Sequence, residues 1–128
     1  MTELKKILYV EDDEDIAEVA QMILEDIGGF EIKHCFSGQE AIDAFPSYNP
    51  QLILMDVMMP DMDGPKTFEK IKNLYGKENI SVIFMTAKAQ THEQEAYKKM
   101  GAIGVILKPF DPMELCENIR NLWEKNVG

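Results

Sequence analysis

The sequence is short of basic residues, of cysteine and of long apolar runs, and each shortage excludes a class of protein. Only 13 residues are Lys or Arg, against 23 that are Asp or Glu, so the formal net charge is −10. Nucleic acids are bound through positively charged faces, so this balance argues against direct nucleic-acid binding. It favours solubility and partners that are basic or metallic.

No apolar run approaches the length of a membrane-spanning helix, and the apolar part of the N-terminal segment MTELKKILYV is too short for a signal peptide. The two cysteines, Cys35 and Cys116, both have apolar neighbours, which predicts reduced thiols in the core of an intracellular protein. We therefore expect a cytoplasmic protein that makes no contact with a membrane.

The length and the apolar content suit one domain over residues 1–128, because 128 residues of which 45% are hydrophobic can bury a sizeable core. Short apolar runs bounded by turn-forming residues predict five β-strands. These are Lys6–Val10, Glu31–Cys35, Leu52–Asp56, Ser81–Thr86 and Gly104–Leu107.

The segments between the strands have the periodicity of amphipathic helices. The first places Ile16, Val19, Ala20, Ile23, Leu24 and Ile27 on one face and ends at the Gly28–Gly29 pair. The next three begin at a capping box of Ser37 and Glu40 (through about Phe45), at Gly64–Pro65, and at a capping box of Thr91 and Gln94 (through Met100). The third of these five helices turns Phe68, Ile71 and Leu74 inward. The last, Pro112–Asn126, is predicted to have Asp111 as its N-cap and to turn Leu115, Cys116, Ile119, Leu122 and Trp123 inward.

Strict alternation of strands and helices, with strands that are apolar on both sides, predicts a doubly wound parallel sheet covered on both faces. The third strand is the most apolar and is expected at the centre of the sheet. The second, EIKHC, is more polar and is expected at an edge.

Reactive side chains follow four of the five strands. Glu11 and Asp12 follow the first, Asp56 and Thr86 end the third and fourth, and Lys108 follows the fifth. Each has an ordinary explanation alone: acids suit a helix N-terminus, Asp forms turns, Thr favours strands, and Lys is a common edge charge. Ligands of such sheets bind at the carboxyl ends of the strands, so their joint occurrence there predicts a functional site.

The chemistry of this set points to a metal and a phosphoryl group. Glu11, Asp12 and Asp56 would repel one another without a cation, and an all-oxygen set that shares a phosphate suits Mg²⁺. Thr86 and Lys108 would hold phosphoryl oxygens. A carboxylate can accept the group as an aspartyl phosphate, and Asp56 is the candidate on the central strand.

The segments KILYVEDD, LILMDVMMPDMDG, VIFMTAKA and VILKPF together resemble the response-regulator receiver family of the single-domain chemotaxis type, over essentially the whole chain. The resemblance implies a flavodoxin-like fold, with strand order 2-1-3-4-5 and five flanking helices. It implies Mg²⁺ held by Glu11, Asp12, Asp56 and the backbone carbonyl of Met58. It also implies Asp56 as phosphoacceptor, Thr86 and Lys108 as its partners, and a cis Lys108–Pro109 bond.

The same resemblance implies a role in two-component signal transduction. The phosphoryl group would come from the phosphohistidine of a sensor histidine kinase or a His-phosphotransfer protein, and the chain would not be a classical turnover enzyme. A downstream protein would bind the face formed by the Thr91–Met100 helix, the Gly104–Leu107 strand and the Pro112–Asn126 helix. Since no DNA-binding helix pair follows the last helix, output through protein contacts is expected, unless the chain is a fragment of a larger regulator.

One position departs from the family. The family usually has Tyr or Phe three residues before the lysine, an aromatic that swings inward on activation, and here that residue is Val105. This leaves open a docking module that keeps the fold but is not phosphorylated. Lys88 and Met58 occupy positions that border the phosphoryl group in the family.

Other functions fit less well. A flavin would meet acids where it needs a hydroxyl- and Gly-rich phosphate loop. A calcium loop aligned on Gly64 would put Met59 and Lys70 at the first and twelfth ligand positions, where acids are required. No Gly-x-x-x-x-Gly-Lys loop supports an ATPase. His34 and His92 have no neighbours at ligand spacing, so a phosphorelay through a histidine of this chain is not expected.

Overall fold

One parallel sheet runs through the protein and carries helices on both faces. The computed structural model describes residues 3–76, 80–87 and 90–127. Its strands are β1 (Lys6–Val10), β2 (Glu31–Cys35), β3 (Leu52–Asp56), β4 (Ser81–Thr86) and β5 (Ala102–Leu107). They lie in the order β2-β1-β3-β4-β5, all parallel, which confirms both the central place of the third strand and the edge position of the second.

The helices are α1 (Glu14–Met22), α2 (Gly38–Tyr48), α3 (Gly64–Tyr75), α4 (Thr91–Met100) and α5 (Leu115–Val127). A π-helical segment, Ile23–Ile27, continues α1. One core cluster lies between the sheet and α1 with α5, and the other lies between the sheet and α2 with α3. Every residue of β3 and β4 is buried, so the two clusters share a sheet that is apolar on both sides.

Three side chains predicted to face the core are exposed. Val19 and Ile27 are 49% and 60% exposed, whereas Ala20 and Leu24 are buried. Val19 lies at the margin of the buried stripe, and the π-helical segment widens the turn, which rotates Ile27 out of register. On α3, Leu74 is 63% exposed. An α-helix has 3.6 residues per turn, so each step of three residues falls short of a full turn, and Leu74 no longer lies on the face of the buried Phe68.

The capping box of Ser37 is confirmed, but α2 runs beyond its predicted end to Tyr48. Ser37 Oγ accepts a hydrogen bond of 3.1 Å from the backbone N–H of Glu40. Pro46 lies inside the helix and leaves the carbonyl of Ile42 without its usual helical donor. The hydroxyl of Tyr75 donates to that carbonyl at 2.6 Å, so the interruption costs no buried hydrogen bond.

The predicted capping box of Thr91 is wrong. Gln90 is the N-cap of α4, and no side chain caps the helix, because Thr91 itself is already helical. The start of α5 is also later than predicted: the residues after Asp111 form turns, and the helix begins at Leu115. Asp111 nevertheless binds the backbone N–H of Met113 through Oδ1 at 2.9 Å.

The fifth strand is longer than predicted, because β5 begins at Ala102 and bulges between its pairings with Val82 and Ile83. The inward face of α5 is confirmed: Leu115, Cys116, Ile119 and Trp123 are buried, and Leu122 is half-buried. Both cysteines are buried free thiols. Within the described ranges, no helix is long and apolar enough to cross a membrane.

Candidate functional site

The carboxyl ends of β1 and β3 bring three acidic residues together. Glu11 follows β1 directly and Asp56 ends β3, and both side chains are buried. Val10 pairs with Met55 in the sheet, so the two acids occupy equivalent steps of adjacent strands. One carboxylate oxygen from each of Glu11, Asp12 and Asp56 lies within 4.8 Å of the others, with Asp12 exposed. The predicted convergence of these three residues is therefore present.

Lys108 reaches this cluster from the end of β5. Its Nζ forms an ion pair with Oε1 of Glu11 and a second one with Oδ2 of Asp56, at 3.2 Å. The backbone N–H of Lys108 donates to the carbonyl of Thr86 at 2.9 Å, which holds the ends of β4 and β5 together. The Lys108–Pro109 peptide bond is cis, as the family resemblance implied.

The charges of this cluster are strongly coupled. Burial raises the pKa of Glu11 to about 7, since burial and the negative charge of Asp56 together outweigh its hydrogen bond to Lys108. Burial alone would lower the pKa of Lys108, but hydrogen bonds and charge interactions with Glu11 and Asp56 outweigh this effect and raise it. The ammonium is therefore firmly charged and lies beside two buried acids.

The loop after β3 folds back tightly against the strand. Val57 donates to the carbonyl of Met85 at 2.9 Å, and Gly64 donates to the carbonyl of Val57 at 2.9 Å. A side chain at position 64 would collide with the backbone carbonyl of Asp56, so glycine is required there by close approach. Met58 is 75% exposed, so its apolar side chain lies outside the acidic cluster.

Thr86 ends β4 with its side chain 3% exposed, beside the strand that carries Asp56. Val105 is half-buried on β5, where it pairs with Phe84. Lys88 lies outside the described residues. All five predicted catalytic and acidic metal-binding residues thus lie at the carboxyl edge of the sheet: Glu11, Asp12, Asp56, Thr86 and Lys108.

The sequence did not predict two contacts of Glu11. The first is its ion pair with Lys108, which joins residues 97 positions apart. The second is the hydrogen bond between Nε2 of His34 and the backbone carbonyl of Glu11, at 2.9 Å. His34 also packs against Phe36, with ring centroids 4.3 Å apart. No short-range sequence pattern marks either contact.

Comparison with known proteins adds independent evidence. The sequence model of the family described as the response regulator receiver domain matches residues 7–120. The response regulator Rre1 of Synechocystis is 33% identical over 122 residues, 95% of this chain and 53% of that protein. The probable transcriptional regulator ycf29 of Pyropia yezoensis is 37% identical, over 95% of this chain and 54% of its own length. This chain thus spans about half the length of the curated relatives it matches.

A similar fold occurs among solved structures. A CheY-like response regulator receiver domain protein from Methanospirillum hungatei is 30% identical, with a TM-score of 0.82, over 98% of this chain and 100% of that one. The chemotaxis protein CheY4 of Vibrio cholerae has a TM-score of 0.85 at 24% identity, over 94% and 99% of the two chains. The second match supports the fold alone.

Proposed function

This chain belongs to the response regulator receiver family, and we propose that it accepts a phosphoryl group on Asp56 with the help of Mg²⁺, as a single receiver domain over residues 1–128. The observation that carries the proposal is the position of Lys108. Its ammonium is paired with Asp56 and Glu11 at the edge of the sheet where three carboxylates meet. The same ammonium can pair with a phosphoryl oxygen once Asp56 is modified.

The three carboxylates fit a divalent cation. Glu11, Asp12 and Asp56 offer only oxygen ligands, and one lysine cannot balance three negative charges. Mg²⁺ prefers oxygen ligands and readily shares a phosphate. Asp12 and Asp56 would bind it directly, Glu11 through water, and Met58 through its backbone carbonyl. A bound Mg²⁺ would neutralise the charge that builds up on the phosphoryl oxygens during transfer.

The reaction is a displacement at phosphorus. A carboxylate oxygen of Asp56 attacks the phosphorus atom, the P–O bond of aspartyl phosphate forms, and the P–N bond of a phosphohistidine donor breaks with its electron pair leaving on nitrogen. The Thr86 hydroxyl and the Lys108 ammonium bind phosphoryl oxygens in the product. The chain thus assists its own modification without acting as a classical turnover enzyme.

A phosphodonor must reach Asp56 across the surface beside the acidic cluster. An open groove with apolar walls borders the site there, lined in part by Ile16, Val19, Lys108 and Pro109. Val19 is half exposed on α1, which also carries Glu14, Asp15 and Glu18 and no basic residue. An apolar strip flanked by acids suits a partner helix with apolar and basic residues. We assign this groove to a sensor histidine kinase or a His-phosphotransfer protein.

The proposed output face comprises α4, β5 and α5, the three elements that the family resemblance implied. Thr86 ends β4 and Lys108 follows β5, and the hydrogen bond between their backbones joins this face to the site. A downstream protein target binding this face would respond to phosphorylation without any direct contact with nucleic acid or membrane. A cytoplasmic location fits this role. In a larger regulator, the same face would adjoin a second domain.

Phosphorylation can be tested with a small acyl phosphate and Mg²⁺. We expect one added phosphoryl group by intact mass, labile in both acid and base, and none on Asp56→Asn. Asp61→Asn is the matched control, because Asp61 lies in the loop after β3 at a positive φ of 69° that Asn also tolerates. If Asp56→Asn gained phosphate at the wild-type rate, or if the wild type gained none, the assignment would fail and the docking module without phosphorylation would replace it.

A further inference from the structure

Phe84 lies beside position 105, where this protein has valine instead of an aromatic residue. Phe84 is fully buried on β4 and pairs with Val105 on β5. It lies two residues before Thr86, so the two side chains point to the same face of the sheet. Any displacement of Thr86 along β4 therefore reaches Phe84 through the strand itself.

Two rings from the helical layer pack on Phe84. The ring of Tyr97 on α4 has its centroid 5.2 Å away, tilted by 54°. The ring of Phe68 on α3 has its centroid 6.1 Å away, nearly edge-on. These distances are within the range of favourable aromatic pairs. The three rings form a continuous row from α3 across β4 to α4, beside the short side chain of Val105.

Helix α4 contributes few side chains to the core. None of its residues is buried, and no side chain caps its first turn. Its C-terminal end is held by Lys72, whose Nζ donates to the carbonyl of Met100 at 2.7 Å. Tyr97 and Met100 are the α4 residues that pack against the core cluster of α2 and α3. Among the described residues, Lys72 thus holds the C-terminal end of the helix at Met100, and Tyr97 links the helix to Phe84 on β4.

We propose that Tyr97 is the aromatic residue through which this protein couples the state of Thr86 to its partner-binding face, in place of a ring at position 105. This inference rests on the proposed function, because it concerns the response to phosphorylation of Asp56. The coupling acts through side-chain packing. No covalent bond forms or breaks beyond the phosphoryl transfer to Asp56 already described.

A ring on β5 and the ring of Tyr97 on α4 differ in the element to which each is attached. A ring on β5 would move at the edge of the sheet, and α4 would shift only as a consequence of that movement. The Tyr97 ring belongs to α4 itself, so a change in its packing on Phe84 changes the position of the helix directly. Packed cores take up discrete arrangements instead of deforming continuously, so a small shift of Thr86 and Phe84 favours a second packing of Tyr97. Val105 has a short side chain with one strongly preferred χ1 rotamer, so it leaves the space beside Phe84 to the ring of Tyr97.

The test is backbone amide NMR of the whole chain, with and without Mg²⁺ and beryllofluoride. In the wild type we expect shifts at residues 11–13 and 56–58, where the mimic binds, and at residues 91–100. In Tyr97→Ala the first group of shifts should persist and the second should be lost, whereas Tyr97→Phe should keep both. Tyr97→Leu keeps an apolar side chain without a ring and serves if the alanine variant does not fold. It should lose the response of α4 as well.

Tyr75→Ala is the matched control. Tyr75 is a half-buried tyrosine of the same core cluster, stacked on Phe45 with centroids 5.3 Å apart and bonded through its hydroxyl to the carbonyl of Ile42 on α2. The Tyr75→Ala variant should retain the α4 response despite a similar loss of aromatic packing. A double variant, Tyr97→Ala with Val105→Tyr, moves the ring from α4 to β5 and should recover part of the response.

Two results would overturn the inference. One is an unchanged α4 response in Tyr97→Ala or Tyr97→Leu. The other is an equal loss in Tyr75→Ala, which would make the effect one of general destabilisation. Failure of the proposed function looks different: the wild type would then show no shifts at residues 11–13 and 56–58. That result would remove the inference together with its premise.

Discussion

The Nζ atom of Lys108 lies 3.2 Å from Oδ2 of Asp56, and the same ammonium is paired with the carboxylate of Glu11. One cation therefore partly neutralises two buried acids that would otherwise repel each other. Two buried carboxylates with a single partner are costly to keep together, so the arrangement should be sensitive to any change in charge. Mg²⁺ and a phosphoryl group would both alter it, one by adding positive charge and the other by drawing the ammonium away.

Replacing Lys108 by alanine should lower the free energy of unfolding in the absence of Mg²⁺ by about 3 kcal/mol, because it leaves two buried acids without their cation. Added Mg²⁺ should restore much of this loss, since it supplies positive charge to the same carboxylates. Urea unfolding with and without Mg²⁺ measures both effects. Lys70→Ala removes an exposed lysine of α3 and should change stability by less than about 1 kcal/mol, with or without the ion. A Lys108→Ala deficit that Mg²⁺ leaves unchanged would contradict the prediction.

Lys108→Ala should also separate phosphorylation from its consequences. The variant keeps Asp56 and the acids that would hold Mg²⁺, so any phosphate it accepts should be on Asp56. It lacks the ammonium that binds a phosphoryl oxygen, so α4 should respond incompletely. Mass spectrometry and amide shifts on the same sample distinguish the two effects. A full shift pattern in the phosphorylated variant would exclude this role for Lys108.

The Asp12→Asn variant should bind Mg²⁺ more weakly and should largely lose phosphorylation by acyl phosphate. It removes one of the three clustered carboxylates, and Asp12 is the exposed one, so folding should be little affected. Asp13→Asn is the matched control, since Asp13 caps α1 through Oδ1 and Asn caps helices equally well. Equal Mg²⁺ affinity for Asp12→Asn and the wild type in a calorimetric titration would place the metal elsewhere.

The stability of the metal-free protein should depend on pH through Glu11. Burial raises the pKa of Glu11 from an ordinary value of 4.5 to about 7, so the folded state binds this proton more tightly than the unfolded chain does. The contribution of Glu11 is therefore fully present below about 4.5 and is lost as the pH rises through about 7. Lys108, Asp56 and the backbone N–H of Asp13 face the same carboxylate. The ammonium of Lys108 lowers the pKa of Glu11, whereas the negative charge of Asp56 raises it.

Urea unfolding between these pH values should show the wild type losing stability relative to Glu11→Gln, which keeps the shape of the side chain but cannot ionise. Saturating Mg²⁺ should reduce the difference, because it favours the ionised carboxylate. Parallel pH profiles for the two proteins would mean that Glu11 is ionised throughout the range. The pairing with Lys108 would then dominate over burial.

The sequence was most informative where one local cause decides the structure. Strands apolar on both sides, such as Leu52–Asp56, can only lie inside a covered parallel sheet, and their carboxyl ends must meet at one edge. Sequence patterns were less reliable where two structural preferences act on the same residues. Thr91 and Gln94 have the spacing of a capping box, yet α4 begins one residue earlier than that box requires. The exposed Ile27 is the last residue of a π-helical segment that the apolar periodicity of the sequence does not reveal.

The functional site was likewise predictable only in part. Its members could be predicted because each one ends a strand or follows it directly. Their pairing could not, because the contact of Lys108 with Glu11 depends on how far β1 and β5 lie apart across the twisted sheet. The same holds for the row of rings at Phe84, which joins three elements that no sequence spacing connects.

The response to phosphorylation should pass through β4 and α4, with little rearrangement of Val105. Beryllofluoride with Mg²⁺ should shift the amides of Thr86, Ala87 and residues 90–100 strongly, because Thr86 is drawn toward the phosphoryl group and its strand pulls the following loop. The amide of Val105 should shift little, since a β-branched side chain has one strongly preferred rotamer and no ring to swing inward. Shifts confined to residues 11–13 and 56–58 would mean that the protein binds the mimic without switching by this route.

Substitutions at Thr86 test the origin of that response. Thr86→Ala removes the hydroxyl that would bind a phosphoryl oxygen, so the mimic should still bind near Asp56 while the shifts at residues 90–100 fall sharply. Thr86→Ser keeps the hydroxyl and should retain them, although the lost methyl group of a buried residue will cost about 1 kcal/mol of stability. Because a ligand moves an equilibrium only by its differential affinity for the two states, Thr86→Ala should also weaken any coupling between phosphorylation and partner binding. An unaltered response in Thr86→Ala would show that Lys108 alone transmits the signal, through β5.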